Sequence, residues 1–172
     1  MLEQITAGAF PDYFNASNDA NEDDGLPAID DRSDNKGPEP EAVTIARYKG
    51  EFYAFIGLER VGGIMIYNVT DPTNARFVDY VNNRDFTGDA EAGTAGDLGP
   101  EEFEFVPWHK SPTGQPLLLV ANEVSGTTTV FELQGLDFSE ATVPADALEL
   151  ADIDEWVRSG AATNDASQAD RE

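Results

Sequence analysis

The chain writes the same approach to a β-strand twice. DRSDNKGPEPEAV, residues 31–43, sets Gly-Pro-Glu and further acids in front of an apolar run, and GDLGPEEFEFV, residues 96–106, does so again. The lead-in residues Gly37-Pro38-Glu39 and Gly99-Pro100-Glu101 stand 62 positions apart (37 to 99). Past the first hairpin the interval becomes 64: Gly50 to Gly114, Glu59 to Glu123, Gly62 to Gly126, Tyr67 to Phe131. A two-residue change in a hairpin loop accounts for the difference, because loops absorb insertions at little cost. A repeat this consistent restricts the chain to an architecture of stacked units.

Each unit has the pattern of a β-meander. Short runs with period-two alternation, separated by Gly, Pro and Asn, are strand signals. They predict strands over residues 41–48, 52–58, 64–69 and 75–81, then over 102–106, 116–121 and 127–133. In the first of these, Val43 and Ile45 share one face. Lys49-Gly50 and Gly62-Gly63 are turns, and Asp71-Pro72-Thr73-Asn74 is a turn with Pro early. Four short antiparallel strands form the blade of a β-propeller. The expected fold is therefore all-β: a β-propeller fragment of about two four-stranded antiparallel blades, with a short C-terminal helix.

The chain divides accordingly. Residues 1–36 form an acidic, loop-rich segment from a preceding blade, and residues 37–82 form one blade. Residues 83–98 are a Gly/Asp-rich loop. Residues 99–133 form a second, incomplete blade without a clear fourth strand. Residues 134–172 hold a helix over 144–160, with Pro144 in its first turn and Gly160 at its end, and then a polar tail. A closed propeller needs four blades or more, so the missing blades come from a longer protein or from copies of this chain.

Charge narrows the partners. The 172 residues carry 34 acids against 10 Lys and Arg, a net charge of −24. Binding to nucleic acid needs a cationic footprint that this chain lacks, and an anionic membrane surface is excluded for the same reason. Such acidity suits a self-repelling soluble surface, adaptation to high salt (a halophilic source), or divalent cation binding. There are no cysteines, which excludes disulfides and thiol chemistry. Met1-Leu-Glu-Gln lacks the basic start of a signal peptide, and no apolar run is long enough to span a bilayer.

The residues that would carry chemistry are carboxylates. Glu39, Glu41, Glu101 and Glu102 precede the innermost strands, which in a propeller line the central channel. There they could bind Ca2+, with backbone carbonyls completing the shell. Equally, Gly-Pro sets a rigid turn and the acids cap neighbouring backbone N–H groups. Asp31 and Asp34 join Arg32 and Lys36 in a mixed-charge cluster beside them, either a ligand-facing rim or a salt-bridged loop. Glu59 and Glu123 end the second strand of each repeat and suit an architectural role, with Arg60 set to pair with an acid of the preceding blade. Asp19, Asn21, Asp23 and Asp30 have the spacing of calcium-loop ligands but no flanking helices, and a solvated acidic loop fits them too. His109 is the only histidine, so neither zinc chemistry nor a serine triad is on offer. Asn15-Ala-Ser17 and Asn68-Val-Thr70 match the N-glycosylation pattern, with meaning only in a eukaryotic source.

Several of these stretches resemble a known family. FPDYFNASN (residues 10–18), DRSDNKGPEPE (31–41), YAFIGLERVGG (53–63), YNVTDP (67–72) and ANEVSG (121–126) look like the C-terminal part of the choice-of-anchor I domain. The likeness runs over residues ~10–133. That group is similar to mesenchyme-specific cell surface glycoproteins, and some bacterial members carry an alkaline phosphatase label. The resemblance implies a β-propeller, an extracellular, periplasmic or cell-surface location, and chains longer than this one. Taken with the carboxylates, the expected function is a non-catalytic, calcium-assisted extracellular module that binds a surface, a mineral or a protein partner. The alternative is part of a metal-dependent, alkaline phosphatase-like phosphoesterase.

Overall fold

The computed structural model of the chain describes residues 2–19 and 26–133. The helix expected over residues 144–160 lies outside the described residues. Among the described residues, seven strands form two antiparallel sheets: β1 (Pro40–Tyr48), β2 (Glu51–Leu58), β3 (Ile64–Asn68) and β4 (Arg76–Val81) in sequential order, then β5 (Pro100–Val106), β6 (Leu117–Asn122) and β7 (Thr127–Glu132). No helix among the described residues is long and apolar enough to cross a membrane.

The first sheet is buried on both faces, which explains why β2 and β3 are almost continuously apolar (EFYAFIGL and IMIYN). On one face Ala42, Ala46, Tyr53, Phe55, Ile64 and Ile66 meet Phe103, Leu118, Val120 and Leu133 of the second sheet. On the other, Ala54, Leu58, Met65 and Tyr67 are covered by Leu2, Ile5, Phe10, Tyr13 and Phe86.

Val43 and Ile45 do share a face of β1, but it is not the face between the sheets. Val43 is 55% exposed, and Ala42, Thr44 and Ala46 are the buried residues of that strand. β1 lies against β5, and small side chains let the two backbones approach. Gly57 in β2 belongs to the same close contact. A Cβ there would sit 2.9 Å from Phe103 Cζ, 3.0 Å from the Pro100 carbonyl and 3.1 Å from Ala42 Cβ.

The N-terminal segment holds structure that its composition hides. Leu2–Ala9 is a helix (α1), followed by a single 3-10 turn at Pro11–Tyr13. Eight residues with Gly8 among them make a marginal helix alone, so packing of Leu2 and Ile5 on the sheet must hold it. Tyr13 stacks on Phe86 with ring centroids 4.3 Å apart, and Phe10 packs on the same ring at 5.1 Å.

The backbone revises how the repeats align at their lead-in. The Glu59 amide donates to the Glu39 carbonyl at 2.8 Å, and the Glu123 amide donates to the Gly99 carbonyl at 2.7 Å. Pro40 faces Leu58 in the ladder, and Pro100 faces Asn122. Glu39 therefore stands where the second repeat has Gly99, and Glu41 matches Glu101. Both positions are left-handed, with φ of 53° at Glu39 and 68° at Gly99. Matching the two Gly-Pro-Glu triplets letter for letter misplaces the acids by two residues.

Candidate functional site: a carboxylate rim around Glu39

Glu39 is 5% exposed and is the centre of an ion cluster. Its Oε2 accepts from Arg32 Nη2 at 3.1 Å and from Arg60 Nε at 2.8 Å, while Lys36 Nζ pairs with Oε1. The bond from Lys36, helped by those from Arg60 and Arg32, outweighs desolvation and holds the carboxyl down at about 2. A left-handed, non-glycine residue costs about 1–2 kcal/mol, so the backbone accepts strain to place this charge. Among the described residues, Arg60 does not form the expected ion pair with an acid of a preceding blade. It pairs instead with Glu39 and, through Nη1 at 2.9 Å, with its neighbour Glu59.

Beside this cluster the repeat-related acids meet. Glu59 is 8% exposed. Burial first, and then a hydrogen bond with the Glu41 carboxyl, push its pKa up to about 7. Glu101 is also raised, by partial burial and then by the negative charges of Glu41, Glu123 and Glu102. The strand starts Glu41 and Glu101 and the strand ends Glu59 and Glu123 thus share one electrostatic environment at one end of the two sheets. A carboxylate among others holds its proton more tightly because ionisation would add a like charge.

The remaining candidates are placed differently. Asp31 and Asp34 are exposed on the loop before the Gly-Pro turn, apart from the buried Glu39. Asp30, at φ 64°, accepts a hydrogen bond from the Ser33 hydroxyl. Asn21 and Asp23 lie outside the described residues. Among the described residues no three His, Cys, Asp or Glu side chains are grouped so as to hold a metal ion. Asn15 is fully buried and Asn68 is 5% exposed. The Asn15 amide donates to Glu3 Oε1 at 2.7 Å, and Asn68 Oδ1 accepts from the Thr70 amide at 3.0 Å. Neither is an accessible glycan acceptor in the folded chain.

One buried cation has almost no signature in the sequence. Arg84 is 8% exposed and donates to two backbone carbonyls, Arg60 and Ser17, each at 2.8 Å. Its guanidinium lies over the Phe86 ring at 4.7 Å, and burial lowers its pKa to about 10. It ties the N-terminal segment to the turn that carries Glu59 and Arg60. Its one sequence signal was a lone cation in an acidic, Gly-rich loop.

These features define a mostly β protein whose two antiparallel sheets repeat one layout and gather acids at one end. Residues 1–72 match the Choice-of-anchor I domain, a match that suggests a cell-surface module. Over 145 residues the chain is 32% identical to Gigasin-3a of Magallana gigas, an alignment covering 80% of this chain and 50% of that protein. The chain thus spans about half the length of the curated relative it matches. No solved structure matches the chain.

Proposed function

We propose that this chain is part of a cell-surface β-propeller of the choice-of-anchor I type, working as a binding module rather than as a catalyst. The observation that carries this reading is the order in which sheet faces stack. Leu118 and Val120 face the first sheet. Moved back by 64 residues they become Ala54 and Ile56, which face the N-terminal segment. Each sheet thus turns the same face toward what precedes it. The opposite face of the second sheet, with Ala121 exposed and Val130 55% exposed, is left for a following sheet. Stacking of one repeated face on the next is how propeller blades succeed one another. The likeness to half of a longer relative supports a chain that is one portion of such a ring.

Calcium is the finer part of the proposal. Glu39 is committed to three cations, and Asp31 and Asp34 stand off on the loop, so the rim narrows to Glu41, Glu101 and Glu102 with Glu59 and Glu123. Crowded carboxylates favour a hard cation. The ion would be shared with oxygens that further sheets bring to the same rim. In the full-length protein, Ca2+ should raise the melting temperature, EDTA should reverse the rise, and Glu101→Gln should abolish it. An unchanged melting temperature in saturating Ca2+ would remove calcium from the proposal. Surface display has its own test: a tagged chain in intact cells of its source should be cut by external protease. Protection until the cells are lysed would refute it.

A further inference from the structure

At the other end of β1 and β5 lies a groove of different chemistry. From Glu41 to Arg47 the strand runs six residues, roughly 20 Å, away from the acidic rim. The groove has a volume of about 510 Å3, within the ~300–1,000 Å3 range of small-ligand sites. Its lining includes Arg47, Tyr48, Lys49, Phe105, Trp108 and Gln115, from the end of β1 and the turn after it and from the end of β5 and its connection to β6.

Three observations set this groove apart. Trp108 is 65% exposed, so most of its indole surface is open at the edge of the groove it lines. Arg47 and Lys49 are two cations of a chain with net charge −24. Every salt bridge among the described residues goes to Glu39 or Glu59, so neither cation has a carboxylate partner there. They rest instead on aromatic faces, Arg47 over Phe52 at 5.9 Å and Lys49 over Tyr48 at 5.1 Å. The walls are also anchored: the Tyr48 hydroxyl donates to the Leu133 carbonyl at 3.3 Å, and the Leu133 amide donates to the Pro116 carbonyl at 2.9 Å.

We propose that this groove binds an anionic saccharide, one whose sugar rings carry carboxylates. The C–H face of a pyranose would lie on the Trp108 indole. Its carboxylate would take the Arg47 fork and the Lys49 ammonium, and its hydroxyls would meet Gln115. Arginine suits a planar carboxylate because two parallel N–H donors match its two oxygens. An acidic peptide would satisfy the cations equally but has no ring face for the indole. The site is separate from the carboxylate rim, and its occupancy does not depend on the calcium proposal.

The test uses the full chain in about 0.15 M salt, which screens the acidic remainder beyond ~8 Å. A trigalacturonate, the corresponding neutral galactose trisaccharide and a tri-glutamate peptide are titrated by calorimetry, with indole fluorescence in a Trp156→Phe background reporting Trp108. The trigalacturonate should bind and perturb Trp108. Trp108→Ala, and separately the Arg47→Gln/Lys49→Gln pair, should each weaken it about tenfold or more, with unchanged melting temperatures. No binding at millimolar ligand overturns the proposal, as does binding undiminished by these substitutions. Equal binding of the neutral trisaccharide overturns its charge component. Equal binding of the peptide reassigns the groove to acidic protein partners.

Discussion

Glu39 is the residue whose replacement tests the physical reading most directly. Its carboxyl is held at about 2, against 4.5 for a free glutamate. The first cause of that shift is the bond from Lys36, whose side chain is 68% exposed, so after solvent screening it is worth about 1–2 kcal/mol of folding free energy at neutral pH. Glu39→Gln removes the charge and leaves Arg32 and Arg60, only 19% and 27% exposed, facing an amide. With the cost of leaving those two guanidiniums without their anion added, the expected loss is about 3 kcal/mol, or a fall of roughly 1.5–2 M in the urea midpoint for an m-value near 1.5–2 kcal/mol/M. Glu39→Gly separates charge from backbone. It loses the same ion pairs but adopts the left-handed φ without strain, as Gly99 does at the matching position. It should therefore be about 1 kcal/mol more stable than the glutamine variant. Equilibrium urea unfolding of the three proteins at pH 7 decides the matter. A glutamine variant within about 0.3 M of the wild type would mean the cluster contributes little. A glycine variant less stable than the glutamine one would refute the strain argument.

Other expectations follow from the same geometry. Glu59 has a folded pKa raised to about 7, so its contribution is fully present below pH 4.5 and is lost as pH rises through 7. Glu39 behaves oppositely, its contribution being lost as pH falls from 4.5 through 2. Wild-type stability should fall between pH 4.5 and 7 as the hydrogen-bonded Glu59 and Glu41 carboxyls lose their shared proton, and Glu59→Gln should flatten that limb of a urea-midpoint profile. Gly57→Ala should cost about 1–3 kcal/mol by overpacking against Phe103 and the Pro100 carbonyl. Adding Phe103→Leu should recover part of that loss in a double-mutant cycle, and strict additivity would count against the contact. Arg84→Met leaves the Ser17 and Arg60 carbonyls without their donor, at about 1–3 kcal/mol each. Limited proteolysis should then cut within residues 2–19 well before the sheets, whereas an unchanged cleavage pattern would show that Arg84 is not the tie.

Much of the secondary structure was written locally. Alternation and turn residues placed all seven strands within a residue or two, because a half-buried strand must alternate and a tight turn must use Gly, Pro or Asn. The 64-residue spacing of Gly50 with Gly114 and of Gly62 with Gly126 was equally local, each being a turn glycine at positive φ. Helix α1 has little local signal because LEQITAGA, despite good helix formers, is only eight residues long and includes Gly8. The partners of Arg60 and Arg84 have none because ion pairs and carbonyl contacts form between segments distant in sequence.

The sequence by itself determined the strands, their turns, the repeat, and a net charge of −24. Period two says which residues share a face; it cannot say which face is core. Only the packing of one sheet on the next decided that Ala42 and Ala46 turn inward while Val43 turns out. Likewise only backbone pairing showed that Glu39 occupies a glycine's place. The repeated Gly-Pro-Glu is thus two different objects: in the first repeat its glutamate is a buried anion held by three cations, and in the second it belongs to the carboxylate rim. A letter-for-letter alignment cannot see this, because hydrogen bonds to the neighbouring strand, not residue identities, set the register.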